Sequence, residues 1–216
     1  MTITTQGHST ISIKSGGHLI VIDPGVLAPD SVFNYCDAIF VTHDHPDHFD
    51  THRIAQSLTA NSGRHFWGPE ECVDQLQAEG APVDSLTSVE KGGEIIVGGV
   101  RAVPIVVDHA PIHPSVPAGK NVAYLVDSRI LHPGDAYPKI PNFEDIQVLL
   151  LPISGPWMRI ADAVDYAKYV SPDLVVPIHD GDLNEGGVGL TDQVLSELLG
   201  TIHYQRLGGP RKVELA

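Results

Sequence analysis

The segment at positions 43–48, which reads HDHPDH, supplies four candidate metal ligands: His43, His45, Asp47 and His48. It directly follows residues 37–42, a short apolar run with the β-branched and aromatic content of a buried strand. Side chains alternate along an extended segment, so His43 and His45 can point the same way, and the turn at the proline can bring the last two ligands to a neighbouring point. Two adjacent ligand pairs suit a two-metal site, in which the ions lie about 3.5–4 Å apart.

Further candidate ligands follow other predicted strands, at the ends where loops converge over one edge of a sheet. His109 ends a long apolar run, Asp135 follows a shorter run through Pro-Gly, and His179 ends the run Leu-Val-Val-Pro-Ile. His113 lies four residues after His109 and is an alternative ligand. We favour His109 because it ends the strand directly.

The pattern His-x-His-x-Asp-His after an apolar strand resembles the signature of the metallo-β-lactamase fold superfamily. The wider pattern is most similar to its ascorbate-6-phosphate-lactonase-like branch of small metal-dependent hydrolases. The resemblance extends from Gly7 to Gly181. It implies an αββα fold, a four-layer α/β sandwich of two mixed sheets with helices outside. We expect residues 1–216 to form a single domain, because no linker or low-complexity segment divides the chain.

The resemblance also implies the ligands of two divalent metal ions. Carried over residue by residue, they are His43, His45 and His109 for one ion and Asp47, His48 and His179 for the other, with Asp135 shared. Zinc is the expected metal, with manganese and iron as alternatives, because imidazole and carboxylate ligands suit all three.

Two residues of the N-terminal segment are predicted to support these ligands. In the resembled family, a Gly-His-(Ser/Ala) stretch and a later Asp-Pro lie close to the metals, and here they supply His8 and Asp23. Carboxylates commonly orient metal-binding histidines, so we expect Asp23 to hydrogen-bond a ligand histidine or a metal-bound water. His8 is either a residue of the site or an exposed residue near the terminus.

The predicted reaction is attack by a hydroxide held between two metal ions, which requires no serine or cysteine nucleophile. Asp47 and Asp135 are predicted to act in catalysis by holding the metals. His113 or Tyr137 is the predicted proton donor where the leaving group needs one.

The surroundings of the predicted site contain few basic residues, namely Lys120, Lys139 and Arg159. Trp157 and Met158 follow Gly-Pro and are predicted to form an apolar wall. The formal net charge of −14 argues against nucleic acid or an anionic membrane as partner, because both are bound through basic surfaces. We therefore predict a small-molecule substrate, no nucleic-acid partner and no membrane partner, and leave formation of a homo-oligomer open.

The chain has no apolar run near the ~18–20 residues of a membrane span, and its N-terminus lacks a basic patch before an apolar core. A cytoplasmic location is therefore expected.

The leading prediction is a metal-dependent hydrolase of small lactones, esters or phosphoesters. One alternative is a nuclease or RNA-processing hydrolase of the same fold, against which the net charge argues. Another is a non-hydrolytic di-iron redox or metal-binding module, which only metal analysis separates from a zinc enzyme.

Hydrophobic periodicity predicts alternating groups of strands and helices along the chain. Residues 2–23 are predicted to contain two strands joined by a Gly-Gly turn, and residues 26–36 to form a loop. A helix over residues 52–60 is predicted to begin after a cap at Asp50 or Thr51. The last predicted helix covers residues 190–199 and is stopped by a glycine.

Overall fold

Two mixed sheets pack face to face in the computed structural model, which describes residues 1–89, 93–139, 145–208 and 211–215. The first sheet has the strand order β14-β1-β2-β3-β4-β5-β6. Its strands are β1 (Thr2–Thr5), β2 (Ile11–Ser15), β3 (His18–Ile22), β4 (Ala38–Phe40), β5 (His65–Gly68), β6 (Leu86–Ser88) and β14 (Val213–Glu214). Strands β14 to β3 pair antiparallel, whereas β3 to β6 pair parallel.

The second sheet repeats this division, with the strand order β13-β12-β11-β10-β9-β8-β7. Its strands are β7 (Ile95–Val97), β8 (Val100–Asp108), β9 (Lys120–Val126), β10 (Ile130–His132), β11 (Val148–Pro152), β12 (Leu174–Ile178) and β13 (His203–Tyr204). Strands β7 to β10 pair antiparallel, and β10 to β13 pair parallel.

Helices cover the outer face of each sheet. They are α1 (Asp30–Tyr35), α2 (Thr51–Ala60), α3 (Glu70–Ala78), α4 (Ile160–Val170) and α5 (Glu185–Leu198). The first three bury apolar side chains such as Leu58 and Leu76 against the first sheet. Helices α4 and α5 bury Ala163 and Leu195 against the second. The predicted αββα architecture is confirmed. Within the described residues, none of the helices combines the length and the apolar content needed to span a membrane.

The central core lies between the two sheets and is built from the inward-facing side chains of both. Ile13 and Phe40 of the first sheet meet Tyr124 and Val176 of the second in one buried cluster. The Phe40 and Tyr124 rings stack with their centroids 5.1 Å apart. Backbone joins the sheets as well, because the Val122 amide donates to the Thr42 carbonyl at 2.8 Å.

The strand ends that carry the candidate ligands meet at one edge of this sandwich. Strands β3 and β4 run parallel, so the residues after them emerge together from the first sheet. Strands β8 and β10 both pair antiparallel with β9, and β11 and β12 continue parallel to β10. These four strands of the second sheet therefore end at the same edge, where parallel α/β sheets commonly place their sites.

Two N-terminal predictions are wrong in detail. The segment 2–23 contains three strands, because β1 gains a partner on each side, in β2 and in the distant β14. Residues 26–36 are not all loop, because α1 covers Asp30–Tyr35. Val32 and Phe33 of α1 are buried against α2 and the sheet, so tertiary packing stabilises a helix too short to be stable alone.

The last helix begins earlier than predicted. Asn184 caps it by accepting from the Gly187 amide at 2.9 Å, and α5 starts at Glu185 rather than at residue 190. Glycines at positions 186, 187 and 189 obscure this start, since glycine is a poor helix former.

Replacing Tyr124 with Phe tests the contact between the sheets. The buried Tyr124 hydroxyl of the second sheet donates to the Val41 carbonyl at 2.9 Å. Val41 directly follows β4 of the first sheet and leads into the HDHPDH segment. We expect Tyr124→Phe to lower the free energy of unfolding in urea by about 1–3 kcal/mol, because a buried carbonyl loses a donor. Tyr35 is 75% exposed, so Tyr35→Phe is a matched control without effect. Equal stability of Tyr124→Phe and the wild type would contradict this account.

Candidate metal centre

Eight side chains form two adjacent groups of potential metal ligands at the shared edge of the sheets. In each group, the ligand atoms all lie within 4.8 Å of one another. The groups are His43, His45, His109 and Asp135, and His8, Asp47, His48 and His179. The structure thus brings together all seven predicted ligands and adds His8 to the second group.

The HDHPDH segment is a tight turn between strand β4 and helix α2. The amides of His48 and Phe49 both donate to the His45 carbonyl, at 3.0 and 2.9 Å, which closes the turn. Asp50 then caps α2 by accepting from the Arg53 amide at 2.9 Å, as the sequence predicts. The strand end, the turn and the helix start hold the four side chains within one short segment.

Asp135 lies between the two groups and contacts histidines of both. Its Oδ2 is 3.5 Å from His109 Nε2 and 3.0 Å from His179 Nε2. Its Oδ1 is 3.2 Å from His48 Nε2. The Trp157 indole N–H donates to Oδ2 at 2.9 Å. One carboxylate therefore faces both ligand groups.

The backbone on which Asp135 stands is fixed by the buried side chain of Asn121. The Asp135 amide donates to Asn121 Oδ1 at 3.0 Å, and Asn121 Nδ2 donates to the Pro133 carbonyl at 2.8 Å. Gly134 has φ +65, and a Cβ there would lie 2.1 Å from Asn121 Oδ1. Only glycine therefore allows this close approach.

Asp23 supports the second group from a fully buried position. Its Oδ2 accepts from His48 Nδ1 at 2.7 Å and from the Thr42 hydroxyl at 2.8 Å. Its Oδ1 accepts from the Thr42 amide at 2.7 Å. The structure shows the predicted hydrogen bond between Asp23 and a candidate ligand histidine.

Hydrogen bonds assign the proton of three candidate ligand histidines to Nδ1. The Thr42 hydroxyl gives its one proton to Asp23, so it accepts from His43 Nδ1 at 2.9 Å. His48 Nδ1 donates to Asp23, and His109 Nδ1 donates to the Ala110 carbonyl at 2.7 Å. In His48 and His109, Nε2 faces the cluster without a hydrogen-bond partner among the described residues, whereas His43 Nε2 lies 3.0 Å from His45 Nδ1.

Several of these atoms are buried and, within the part of the chain that the structure describes, have no hydrogen-bond partner. They are the Nε2 atoms of His48, His109 and His179 and Oδ1 of Asp135. Buried polar atoms are normally paired, so a convergent set of orphaned lone pairs indicates a cation-binding site. Imidazole nitrogens with carboxylate oxygens form the donor set that zinc and similar divalent ions take. The residues present therefore fit a divalent metal centre.

The groups of the cluster shift one another's pKa values. Burial raises the pKa of Asp135, but His48 and two further imidazoles outweigh it and hold that pKa well below its usual range. Burial opposes charge on His48, yet Asp135 and Asp23 raise its pKa well above the ordinary value. Burial is the main reason why the pKa of His43 is well below its ordinary value. A cation competes with protons for such ligands, so metal binding is expected to release protons.

Three residues of the site adopt left-handed backbone conformations, which residues other than glycine rarely adopt. His8, Asp23 and His179 have φ values of +49, +53 and +60. Each such residue costs on the order of 1–3 kcal/mol and persists only where the surroundings hold it. Here the His179 amide donates to the His8 carbonyl at 3.0 Å, so a hydrogen bond links two of the strained residues and stabilises both.

Two predicted proton donors are not brought into the cluster. His113 is exposed, and its Nδ1 pairs with the Ser115 hydroxyl at 2.7 Å. The structure places His109, not His113, in the first ligand group. The Tyr137 hydroxyl donates to the Pro152 carbonyl at 2.8 Å, so its proton is held away from the cluster.

His132 is a structural residue of the site that the sequence analysis missed. It is fully buried, donates from Nε2 to the Ser9 carbonyl at 3.2 Å and accepts the Gly134 amide on Nδ1 at 3.2 Å. It therefore ties the loop of His8 to the loop of Asp135. In the sequence, His132 directly precedes Pro-Gly-Asp135, which places it near a candidate ligand. A single histidine at the end of a strand does not by itself predict that its ring links two loops.

A cleft of about 450 Å³ opens beside the cluster. His109 of the first ligand group and Trp157, which donates to Asp135, line the cleft, and Pro111, Ala136 and Pro138 give it a largely apolar lining. A larger cavity of about 620 Å³ between α1 and α2 lies apart from the cluster. Its two arginines, Arg53 and Arg64, already donate to a carboxylate and to backbone carbonyls. We therefore assign these arginines a structural role.

Comparison with known proteins agrees with this geometry. The family model for the beta-lactamase superfamily domain matches residues 2–179. The chain belongs to the beta-lactamase superfamily. The predicted superfamily is thereby confirmed, whereas its ascorbate-6-phosphate-lactonase-like branch stays a prediction.

Individual relatives in this superfamily match along most of the chain. Protein Rv0786c of Mycobacterium tuberculosis is 32% identical over 207 residues, covering 93% of this chain and 94% of that protein. The UPF0173 metal-dependent hydrolase MJ1163 of Methanocaldococcus jannaschii is 25% identical, with 82% and 83% of the two chains covered. The solved structure of Igni18, described as a metallo hydrolase from Ignicoccus hospitalis, superposes with a TM-score of 0.72 at 23% identity and covers 100% of this chain and 99% of its own. That likeness shows the shared fold.

The Asp23→Asn variant tests the support of the second ligand group. An amide in place of the carboxylate cannot accept all three hydrogen bonds, so His48 loses the partner that orients its ring. We expect metal affinity to fall roughly 10–100-fold, measured by competition with a chromogenic chelator. Among the described residues' hydrogen bonds, the Asp37 side chain accepts only from the Leu19 amide, so Asp37→Asn is the matched control. Unchanged metal affinity in Asp23→Asn would reduce Asp23 to a residue that only stabilises the turn.

Proposed function

We propose that this protein is a metal-dependent hydrolase that binds two divalent metal ions and cleaves small lactones, esters or phosphoesters. The observation that carries this proposal is Asp135, whose two oxygens face histidines of both ligand groups. The names of relatives such as the Methanocaldococcus jannaschii protein support the general class of metal-dependent hydrolase. The substrate class and the number of metal ions belong to the proposal alone.

The proposed ligands follow the two groups around Asp135. They are His43, His45 and His109 for one ion and Asp47, His48 and His179 for the other, with Asp135 shared. The Nε2 atoms of His48 and His109, which have no hydrogen-bond partner among the described residues, support this assignment. Zinc is proposed as the metal, with manganese and iron as alternatives, because the donor set suits all three.

Two divalent ions, when bound, would lower the pKa of water and polarise the oxygen that gains charge in the reaction. The chain's own residues hold this arrangement. Asp135 and Asp47 offset the charge of the ions, Asp23 orients His48, and Trp157 holds Asp135 while forming a wall of the cleft. Cys36 and Cys72 are buried away from such a role, and burial raises the pKa of Cys36 to about 11.

The charges near the cleft favour a small substrate over a polyanion. Of the basic residues predicted near the site, Arg159 is paired with Asp162, and Lys139 lines the cleft. A nucleic acid would need several cations to contact its phosphates, and the net charge of −14 opposes its approach. A small-molecule substrate, with neither nucleic acid nor a membrane as partner, and a cytoplasmic location complete the proposal.

The test begins with protein purified without added metal, on which bound metals are quantified by mass spectrometry. A panel of lactones, carboxylic esters, phosphomonoesters, phosphodiesters and oligonucleotides is then assayed. We expect about two divalent ions per chain and turnover on at least one small ester class. Hydrolysis of RNA or DNA without activity on small substrates would contradict the proposal.

The variant Asp135→Ala tests the proposed role of the Asp135 carboxylate. It removes the carboxylate that faces both groups, so we expect a folded protein with a reduced metal content and no measurable turnover. Asp84 lies exposed in a short 3-10 turn of the first half, so Asp84→Ala is a control that keeps both properties. An Asp135→Ala protein that keeps full metal content and turnover would contradict the proposed role.

A further inference from the structure

His8 lies among the candidate ligands, but its hydrogen bonds differ from theirs. It is buried in the loop between β1 and β2, with Nε2 3.0 Å from Asp47 Oδ2. Its ring centroid is 4.1 Å from that of His179. By distance alone, His8 could be a further ligand of the second group, so the location of its proton decides its role.

The backbone places that proton on Nε2. The Gly181 amide lies 3.0 Å from His8 Nδ1, and an amide N–H can only donate. Nδ1 must therefore present its lone pair, and the one proton of a neutral imidazole must be on Nε2. Nε2 then donates to Asp47 Oδ2 and has no lone pair for a metal.

This arrangement is opposite to that of the candidate ligands. His48 and His109 donate from Nδ1, and their Nε2 atoms face the cluster without a hydrogen-bond partner among the described residues. His132, by contrast, accepts a backbone amide on Nδ1 and donates from Nε2 to a carbonyl, as a purely structural histidine does. His8 shares the pattern of His132.

The amide that sets this proton is itself held in place. A Cβ at Gly181 would lie 2.9 Å from His8 Nδ1, so glycine is needed for the close approach. The preceding Asp180 forms an ion pair with Arg206, which also donates from Nε to Asp192 of α5 at 2.8 Å. The segment after His179 is therefore tied to the second sheet and its helix.

We propose that His8 is a positioning residue and not a metal ligand: its Nε2–H holds the Asp47 carboxylate in the orientation in which Asp47 binds metal beside His48 and His179. The inference rests on the proposed function, because it assumes that Asp47 binds metal. The loop between β1 and β2, which lies outside the HDHPDH segment, would thus orient one of that segment's metal ligands.

Three variants separate a positioning residue from a ligand. His8→Gln keeps an acceptor for the Gly181 amide and a donor for Asp47 but is a poor metal ligand, whereas His8→Glu supplies a ligand and repels Asp47. His8→Phe fills the space without either bond. We expect His8→Gln to keep its metal content and affinity within about threefold of the wild type, and His8→Glu and His8→Phe to lose roughly 10–100-fold in affinity for one of the two ions. The reverse order, with Glu retaining metal and Gln losing it, would overturn the inference.

Nuclear magnetic resonance gives the readout that does not depend on activity. Long-range proton–nitrogen correlation spectra of histidine-labelled, metal-loaded wild-type protein distinguish the two neutral forms of each ring. We expect a protonated Nε2 for His8 and protonated Nδ1 for His48 and His109. A His8 with proton-free, metal-shifted Nε2 in protein that holds two ions would overturn the inference and leave the proposed function standing. Wild-type protein that binds no divalent ion would overturn the proposed function, and this inference with it.

Discussion

The buried carboxylate of Asp135 is the interaction on which the arrangement of the site depends. A buried charge is costly unless it is paired and hydrogen-bonded, and here imidazoles from both sheets and the Trp157 N–H surround it. Those partners come from different strand ends, so the charge is compensated only when the two sheets are packed in register. The geometry of the fold and the chemistry of the site are for this reason inseparable.

Buried polar side chains hold the converging loops in place. Asn121 fixes the loop of Asp135, Asp23 fixes the start of the HDHPDH segment, and His132 ties the N-terminal loop to Gly134. Each forms hydrogen bonds to backbone groups that would otherwise lack partners at the edge of the sandwich. The strained φ value of Asp23 is stabilised by these bonds, which is how functional loops keep unfavourable conformations.

Much of the fold and of the ligand set could be predicted because the signals are local. Each of His43, His109 and His179 follows an apolar strand, and periodicity alone finds such strands. Strand β1 and helix α1 were missed because distant pairing and tertiary packing create them. The role of His8 was left open for the same reason, since its partner Gly181 is 173 residues away. The predicted superfamily and fold are confirmed, whereas the ligand assignments stay predictions that the geometry supports.

Anomalous diffraction from crystals of protein purified without added metal tests whether Asp135 contacts two metal ions. Data collected on both sides of the absorption edge of the bound element locate each ion without reference to the protein atoms. We expect two peaks roughly 3.5–4 Å apart, with Asp135 contacting both and His8 contacting neither. No peak in the cluster, or a single peak that Asp135 does not touch, would contradict this expectation.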